Sequence, residues 1–278
     1  MKNKNDVFSS RITCYNNLYN SANVPFWVYS KVIDNFMTML GNVDEYTEYH
    51  CFRVANLTSL LLEYAQENGL SDEINNLNPL QYKDIIYGAY VHDIGKAQVP
   101  TYILKDKKRL TEDEWIALKA HPVNGAFMFL GPGFETVRET ILGHHERYDG
   151  KGYPMGDCGK QIPLGARIVC LCDSLDAMTD KRPYQENKPL TLNEALTEVN
   201  KFAGLQFDPD LITILNELIK TEKFQDYWNN KTDKNYLKEK SEKIKNWLFN
   251  KNQIEEELKV EERNIAVMRK ILNIKREQ

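Results

Sequence analysis

The sequence predicts an all-α protein. Its apolar residues recur at helical spacing, and we find no alternating apolar and polar run long enough to indicate a β-strand. Gly and Pro fall where the apolar period stops, as at Asn68-Gly69, and such residues end helices. No internal repeat is visible. We therefore expect a helical bundle followed by a C-terminal helical extension.

The predicted helices follow one another along the chain. The first begins near Pro25, which suits a first-turn position, and ends before Gly41. The second spans residues 46–66 and the third 83–96, whereas residues 99–110 are predicted to form a loop. The later predicted helices span residues 111–122, 136–146, 164–180, 191–203 and 209–221.

Two features refine the middle of the chain. Thr111 followed by Glu114 is the signature of a capping box, so a helix is expected to begin there. Trp115, Phe127 and Phe129 have helical spacing, and we expect them to pack between helices.

Both ends of the chain differ from its centre. Residues 1–25 are polar and show no clear period, whereas residues 223–278 are predicted to form an amphipathic helical extension. Three interpretations of this extension stay open: a helix folded back on the domain, a coiled coil that forms a homodimer, or an arm that binds a partner. The apolar seam behind them consists of Leu237, Ile244, Trp247, Ile254, Leu258, Ile265, Met268 and Leu272.

Composition excludes several classes of function. A net charge of −4 gives no general attraction to a nucleic acid polymer or an anionic membrane. No apolar run approaches the ~20 residues of a membrane span, and the N-terminus lacks the apolar core of a signal peptide. The five cysteines then indicate reduced thiols, and we expect a cytoplasmic protein.

The histidines are the most informative residues. All five occur in one ordered series, and with two aspartates they make seven candidate metal ligands. Imidazole and carboxylate together suit Fe, Mn, Zn or Ni. Seven ligands exceed one tetrahedral ion and suit two metals that share a bridging carboxylate. The candidates are His50, His92, Asp93, His121, His144, His145 and Asp173.

Two motifs add features suited to a phosphate substrate. In HDIGK, Lys96 follows Asp93 by one turn and offers a counter-charge for a phosphate oxygen. In the loop after His145, Gly152 would allow the backbone to approach a ligand, and Tyr153 offers a ring for stacking on a base.

Residues 26–222 resemble the HD-GYP domain, a branch of the HD phosphohydrolases that cleaves cyclic dinucleotides. The resemblance implies one metal at His50, His92, Asp93 and Asp173, and a second at His121, His144 and His145, with Asp93 bridging. It also implies that Lys96, Gly152, Tyr153, Asp176 and Arg182 hold the nucleotide. The motifs that carry it are DEYTEYHCFRV, HDIGKAQVP, LTEDEWIALKAHPVNGA, HHERYDGKGYP, IPLGARIVCLCDSLDAMTDKRPY and FDP.

The implied activity is hydrolysis of cyclic di-GMP to pGpG, and in a second cut to GMP. A hydroxide shared by the metals would attack phosphorus, and Asp93 and Lys96 would serve the catalytic step. Arg182 would clamp the second phosphate.

The chain departs from the family pattern at three places. A subset of the family carries a Glu for a third metal four residues before His50, where this chain has Tyr46, so we expect two ions, Fe or Mn. Gln185 replaces a basic residue after the RPY motif, and residues 106–108 replace Lys-Pro-Gly.

Other functions stay open. The substrate could be 3′3′-cyclic GMP-AMP, and some HD-fold proteins use a di-iron pair to activate oxygen. A non-catalytic module that senses a dinucleotide or docks to a diguanylate cyclase is another alternative. The complete ligand set disfavours such a module.

Overall fold

The computed structural model confirms the predicted fold class. It describes residues 35, 37, 38, 41, 45–105, 110–130, 133–181 and 188–248. Their regular elements are helices, and these residues contain no β-strand beyond an isolated bridge between Ala203 and Phe207. Most of the first predicted helix, the loop residues 106–108, Arg182, Gln185 and the segments 1–25 and 249–278 lie outside the described residues.

The helices are numbered here in chain order. Short 3₁₀ turns occur at Ile94–Gln98 and Gly159–Gln161. The α-helices are α1 Glu45–Glu67, α2 Asp72–Asn75, α3 Pro79–Val91, α4 Thr101–Lys105, α5 Glu112–Lys119, α6 His121–Phe127, α7 Glu135–Gly143, α8 Leu164–Thr179, α9 Leu192–Lys201, α10 Pro209–Leu218, α11 Glu222–Asn230 and α12 Lys234–Leu248.

Four helices form the centre of the bundle. α3 packs between α1 and α7, and α8 packs against all three of them. Large buried side chains such as Tyr87, Tyr90 and Leu57 fill the space between them. α6 packs on α7 and on the 3₁₀ turn after α3, which brings the ends of these segments together.

Local sequence signals account for several helix ends. Thr111 and Glu114 form the predicted capping box at the start of α5. α1 ends before Gly69, whose φ of 62° lies in the left-handed region that glycine tolerates best. The predicted stop at Asn68-Gly69 is therefore confirmed.

Other local predictions were wrong. α4 lies within the predicted loop 99–110, because five residues are too few to show a helical period. The predicted helix 83–96 becomes α3 and a 3₁₀ turn, so His92 caps α3 and Asp93 follows it. Trp115 is 49% exposed and does not pack in the core.

The predicted helix 111–122 also divides into two. α5 ends at Lys119 and α6 begins at His121, with Ala120 as the residue between them. Pro122 has no N–H to continue α5 and its fixed φ suits the first turn of a new helix. The break turns His121 into the start of a separate helix.

The last described helices pack on the bundle. Phe224, Tyr227 and Leu237 are buried, and Ile244 packs against the core. α12 lies along α1, so the first part of the apolar seam faces the domain. None of the helices in the described parts of the chain combines the length and apolar character that crossing a bilayer requires.

Candidate metal centre

The predicted metal ligands come from five places in the fold and converge. His50 lies in α1, Asp173 in α8, and the others lie at helix ends, where the chain can turn a side chain inward. Two groups have donor atoms that all lie within 4.8 Å of one another. One group is His50, His92 and Asp93, and the other is His121, His144 and His145.

Asp93 lies between the two groups. Its Oδ2 is 3.5 Å from Nε2 of His92 and 4.0 Å from Nε2 of His50. Its Oδ1 is 3.3 Å from Nε2 of His121. One carboxylate therefore presents one oxygen to each group, as a carboxylate that bridges two cations does.

The remaining ligand candidates extend the two groups. Asp173 Oδ1 lies 3.0 Å from Nε2 of His50, on the first side. On the second side, Nε2 of His121 and His144 are 3.2 Å apart, and the rings of His144 and His145 have centroids 4.1 Å apart. All seven predicted ligands thus lie in one cluster.

Backbone carbonyls determine which ring nitrogen faces the centre. Nδ1 of His92, His121 and His144 each lies 2.6–2.7 Å from the carbonyl oxygen three residues earlier. Because a carbonyl can only accept, each Nδ1 carries the proton and each Nε2 keeps its lone pair. In His50 a carboxylate replaces the carbonyl: Oδ2 of Asp176 lies 2.7 Å from Nδ1, which turns Nε2 toward Asp173.

The donor set fits transition-metal ions. Nε2 of His92 is buried and has no hydrogen-bond partner among the described residues. A buried nitrogen lone pair without a partner is costly, and a bound cation would satisfy it. Imidazoles with two carboxylates are also the donors that such ions prefer.

Burial and charge set the protonation of these groups. Burial lowers the pKa of His92 and His144, and lowers that of His145 to about 3, so these rings are neutral. Burial also acts on His50, but hydrogen bonds with Asp173 and Asp176 outweigh it and raise its pKa to about 9. Burial acts to raise the pKa of Asp93, but the charge of Lys96 outweighs it and holds that pKa well below its usual value.

Lys96 lies beside the bridging carboxylate. Its Nζ is 2.5 Å from Oδ2 of Asp93, and a quarter of its side chain is exposed. Burial tends to lower the pKa of Lys96, but the Asp93 carboxylate outweighs it and raises that pKa. The Lys96 ammonium is therefore positively charged, and it lies at the partly exposed edge of the buried cluster.

The loop after α7 forms one wall of the centre. The Tyr153 ring lies beside His145, with centroids 4.9 Å apart, and Nζ of Lys119 lies 5.5 Å from the centre of the tyrosine ring. Glu146 accepts hydrogen bonds from the backbone N–H groups of Met155 and Gly156. Glu146 therefore holds this loop in place.

Position 152 in this loop requires glycine for a structural reason. A Cβ atom there would lie closer than 3.0 Å to backbone atoms of Glu146 and Arg147. The close approach that requires glycine is thus to the protein's own backbone. The approach of a substrate to Gly152 stays a prediction.

The contacts of Asp176 differ from the nucleotide contact that the resemblance implies. It is 1% exposed, and its carboxylate is engaged by His50, Arg53 and Lys231. It therefore orients the His50 ring and is not open to a substrate. Sequence reasoning missed this contact and Lys231, since neither has a local signal.

Tyr46 occupies the position of the absent third-metal glutamate. Its ring stacks parallel to that of His50, with centroids 6.1 Å apart and an interplanar angle of 7°. A phenol ring on this side of His50 supplies no carboxylate, and the number of metals stays a prediction from the sequence.

Comparison with known proteins identifies the family. The family described as "HD domain" matches residues 44–211, and the chain belongs to it. The match covers every predicted ligand, from His50 to Asp173, and agrees with the HD-GYP motifs in the sequence. α11 and α12 lie beyond its end.

Three relatives share this region. A cyclic di-GMP phosphodiesterase of Thermotoga maritima is 33% identical over 70% of this chain and 52% of its own length. The cyclic di-GMP phosphodiesterase response regulator RpfG of Xanthomonas campestris is 37% identical over 59% of this chain and 44% of its own length. The 3′3′-cGAMP-specific phosphodiesterase 1 of Vibrio cholerae is 31% identical over 64% and 40%. The chain spans about half or less of each relative.

Proposed function

We propose that the protein is a metal-dependent phosphodiesterase that hydrolyses a cyclic dinucleotide. The substrate that we favour is cyclic di-GMP, which would be opened to pGpG and then cut to GMP. The observation that carries this proposal is the position of Asp93, with one oxygen toward each group of histidines.

Two metal ions, Fe or Mn, fit this cluster. His50, His92 and Asp173 would hold one, His121, His144 and His145 the other, and Asp93 both. When bound, such cations supply Lewis-acid polarisation of a phosphate oxygen and lower the pKa of water. The neutral tautomers of the histidines prepare the protein for this binding, because each Nε2 lone pair already points inward.

The other residues would hold the substrate. Hydrolysis adds water across one P–O3′ bond, so a phosphate gains an oxygen and the 3′-oxygen leaves with a proton. The Lys96 ammonium lies at the opening beside Asp93 and would neutralise a non-bridging phosphate oxygen. Tyr153 would offer its ring to a base, and Arg182 would bind the second phosphate.

The two candidate substrates, cyclic di-GMP and 3′3′-cGAMP, differ in one base. Relatives at similar identity are named for cyclic di-GMP and for 3′3′-cGAMP. A diguanylate cyclase partner, a homodimer formed through the C-terminal helical extension and a cytoplasmic location also remain proposals from the sequence. The packing of α12 on α1 supports the folded-back interpretation for residues up to 248.

Product chromatography tests the proposal. The purified chain is incubated with cyclic di-GMP and, separately, with 3′3′-cGAMP, and metal content is measured on the same batch. We expect pGpG from the first substrate at the higher rate. Asp93→Asn should release no product, whereas Asp72→Asn, at an exposed position of α2, should match the unaltered chain. A metal-loaded chain that cleaves neither dinucleotide would refute the function.

A further inference from the structure

A lysine from beyond the family region reaches the support of a metal ligand. Lys231 follows α11, outside the matched residues 44–211, and is only 4% exposed. Its Nζ lies 3.4 Å from Oδ1 of Asp176 and donates to Oγ1 of Thr179 at 2.8 Å. The same Asp176 carboxylate holds Nδ1 of His50 at 2.7 Å. A continuous chain of contacts therefore runs from Lys231 to His50.

The charges along this chain favour a fixed orientation of the Asp176 carboxylate. Arg53 Nε lies 2.8 Å from Oδ1 and 3.1 Å from Oδ2 of Asp176, and the other end of its guanidinium binds Asp180. Lys231 adds a second cation on Oδ1, whereas Oδ2 accepts from His50 at 2.7 Å. A buried carboxylate held by two cations stays ionised, accepts from Nδ1 of His50 and so fixes the ring with Nε2 toward the other ligands.

α11 is anchored to the same helix as His50. The Tyr227 hydroxyl donates to the backbone carbonyl of Arg53 at 2.9 Å, and Phe224 is fully buried. Trp228 lies against the lysine, with its ring centre 4.1 Å from Nζ. These contacts fix Lys231 over Asp176. Removing one partner of a buried ion pair leaves the other charge uncompensated, so the Asp176 carboxylate depends on Lys231.

We propose that Lys231 is a positioning residue for the His50 side of the metal centre, acting through Asp176. The C-terminal helical extension thereby becomes part of the metal site. Displacing α11 would loosen His50 without touching any ligand. This inference rests on the proposed metal site but not on the identity of the substrate.

The test is a titration of the metal-free full chain with Mn²⁺ by calorimetry. Lys231→Met keeps the length of the stem and removes the charge, so we expect one Mn²⁺ binding event to weaken by about 10- to 100-fold. Lys231→Arg keeps a cation and should restore most of the affinity. Lys223→Met is the matched control, because it removes an exposed lysine of α11 that pairs with Glu63 on α1. It should bind Mn²⁺ like the unaltered chain.

Thermal unfolding of the metal-free proteins separates positioning from stability. Lys231→Met with a lowered melting temperature and unchanged Mn²⁺ affinity would overturn the proposal and leave a structural role alone. If Lys231→Met does not fold, Lys231→Gln, which keeps a donor for Thr179, must show the same weakened event. Because no substrate is present, a chain that cleaves no dinucleotide could still pass this test.

Discussion

The backbone at Gly95 lies directly against the backbone of His121. A Cβ atom on Gly95 would lie closer than 3.0 Å to the carbonyl oxygen of His121 and to the amide nitrogen of Gly125. This contact seats the 3₁₀ turn after α3 on the first turn of α6. It brings Asp93 within 3.3 Å of His121, so the absence of a side chain at Gly95 allows the two groups of ligands to meet.

Gly95→Ala should therefore damage both folding and metal binding. Its methyl group meets backbone atoms, which cannot move aside as a flexible side chain can. We expect a loss of about 3 kcal/mol, the upper part of the range for overpacking, and a reduced metal content. Denaturant unfolding and elemental analysis measure the two effects. An alanine variant with full stability and full metal content would show that this contact does not set the site.

Arg167 should matter far more to stability than its neighbour Lys160. Arg167 is buried and binds Asp208 and Glu73, each at 2.5 Å, whereas the Lys160 side chain is 48% exposed near the same carboxylates. Arg167→Met leaves the buried Asp208 without its main partner and should cost about 3–5 kcal/mol. Lys160→Met should cost about 0–1 kcal/mol. Equal shifts of the urea midpoint in the two variants would contradict this.

Asp84→Asn should stabilise the protein at alkaline pH. Burial and the nearby Glu135 raise the pKa of Asp84 to about 7, despite the opposing charge of Lys83. The unfolded-state pKa is about 4, so folding stability is highest below it and falls as the pH rises to about 7. Asparagine removes this loss. We expect a gain of about 2 kcal/mol at pH 8 and a smaller gain at pH 5, seen in melting temperatures. A gain that is the same at both pH values would exclude the titration of Asp84 as its cause.

The sequence predicts which candidate ligands cluster better than it predicts the groups that orient them. His92, His121 and His144 belong to motifs with fixed order, and each finds its carbonyl partner three residues earlier in the chain. The partners of His50 are different, because Asp176 lies 126 residues away and is visible only once α1 and α8 pack.

Predictions from local sequence patterns also failed where tertiary contacts determine the structure. The five residues of α4 are too few to show a helical period. Its Ile103 is buried, and only the packing of the chain shows this. Glu146 holds the loop after α7 through hydrogen bonds that no local pattern in the sequence indicates. Lys231 resembles any lysine of an amphipathic helix until α11 places it over Asp176.

Substitutions of Lys96 and of Arg182 should change different kinetic parameters. Lys96 lies beside Asp93 and would act on charge that grows in the transition state, so Lys96→Met should lower kcat by about 10²-fold. Arg182, which lies outside the described residues, is expected to hold the second phosphate throughout, so Arg182→Ala should raise KM and leave kcat nearly unchanged. Steady-state kinetics on cyclic di-GMP checks both, and the opposite pattern would exchange the two roles.

The metal content of two variants tests the bridging role of Asp93 most directly. Elemental analysis of the unaltered chain should give about two transition-metal ions per chain. Asp93→Ala removes a carboxylate that faces both groups, so we expect close to no bound metal and no phosphodiesterase activity. His144→Ala removes a ligand from the second group only and should keep about one ion. An Asp93→Ala protein that keeps both ions and near-normal activity would contradict the bridging role and the mechanism built on it.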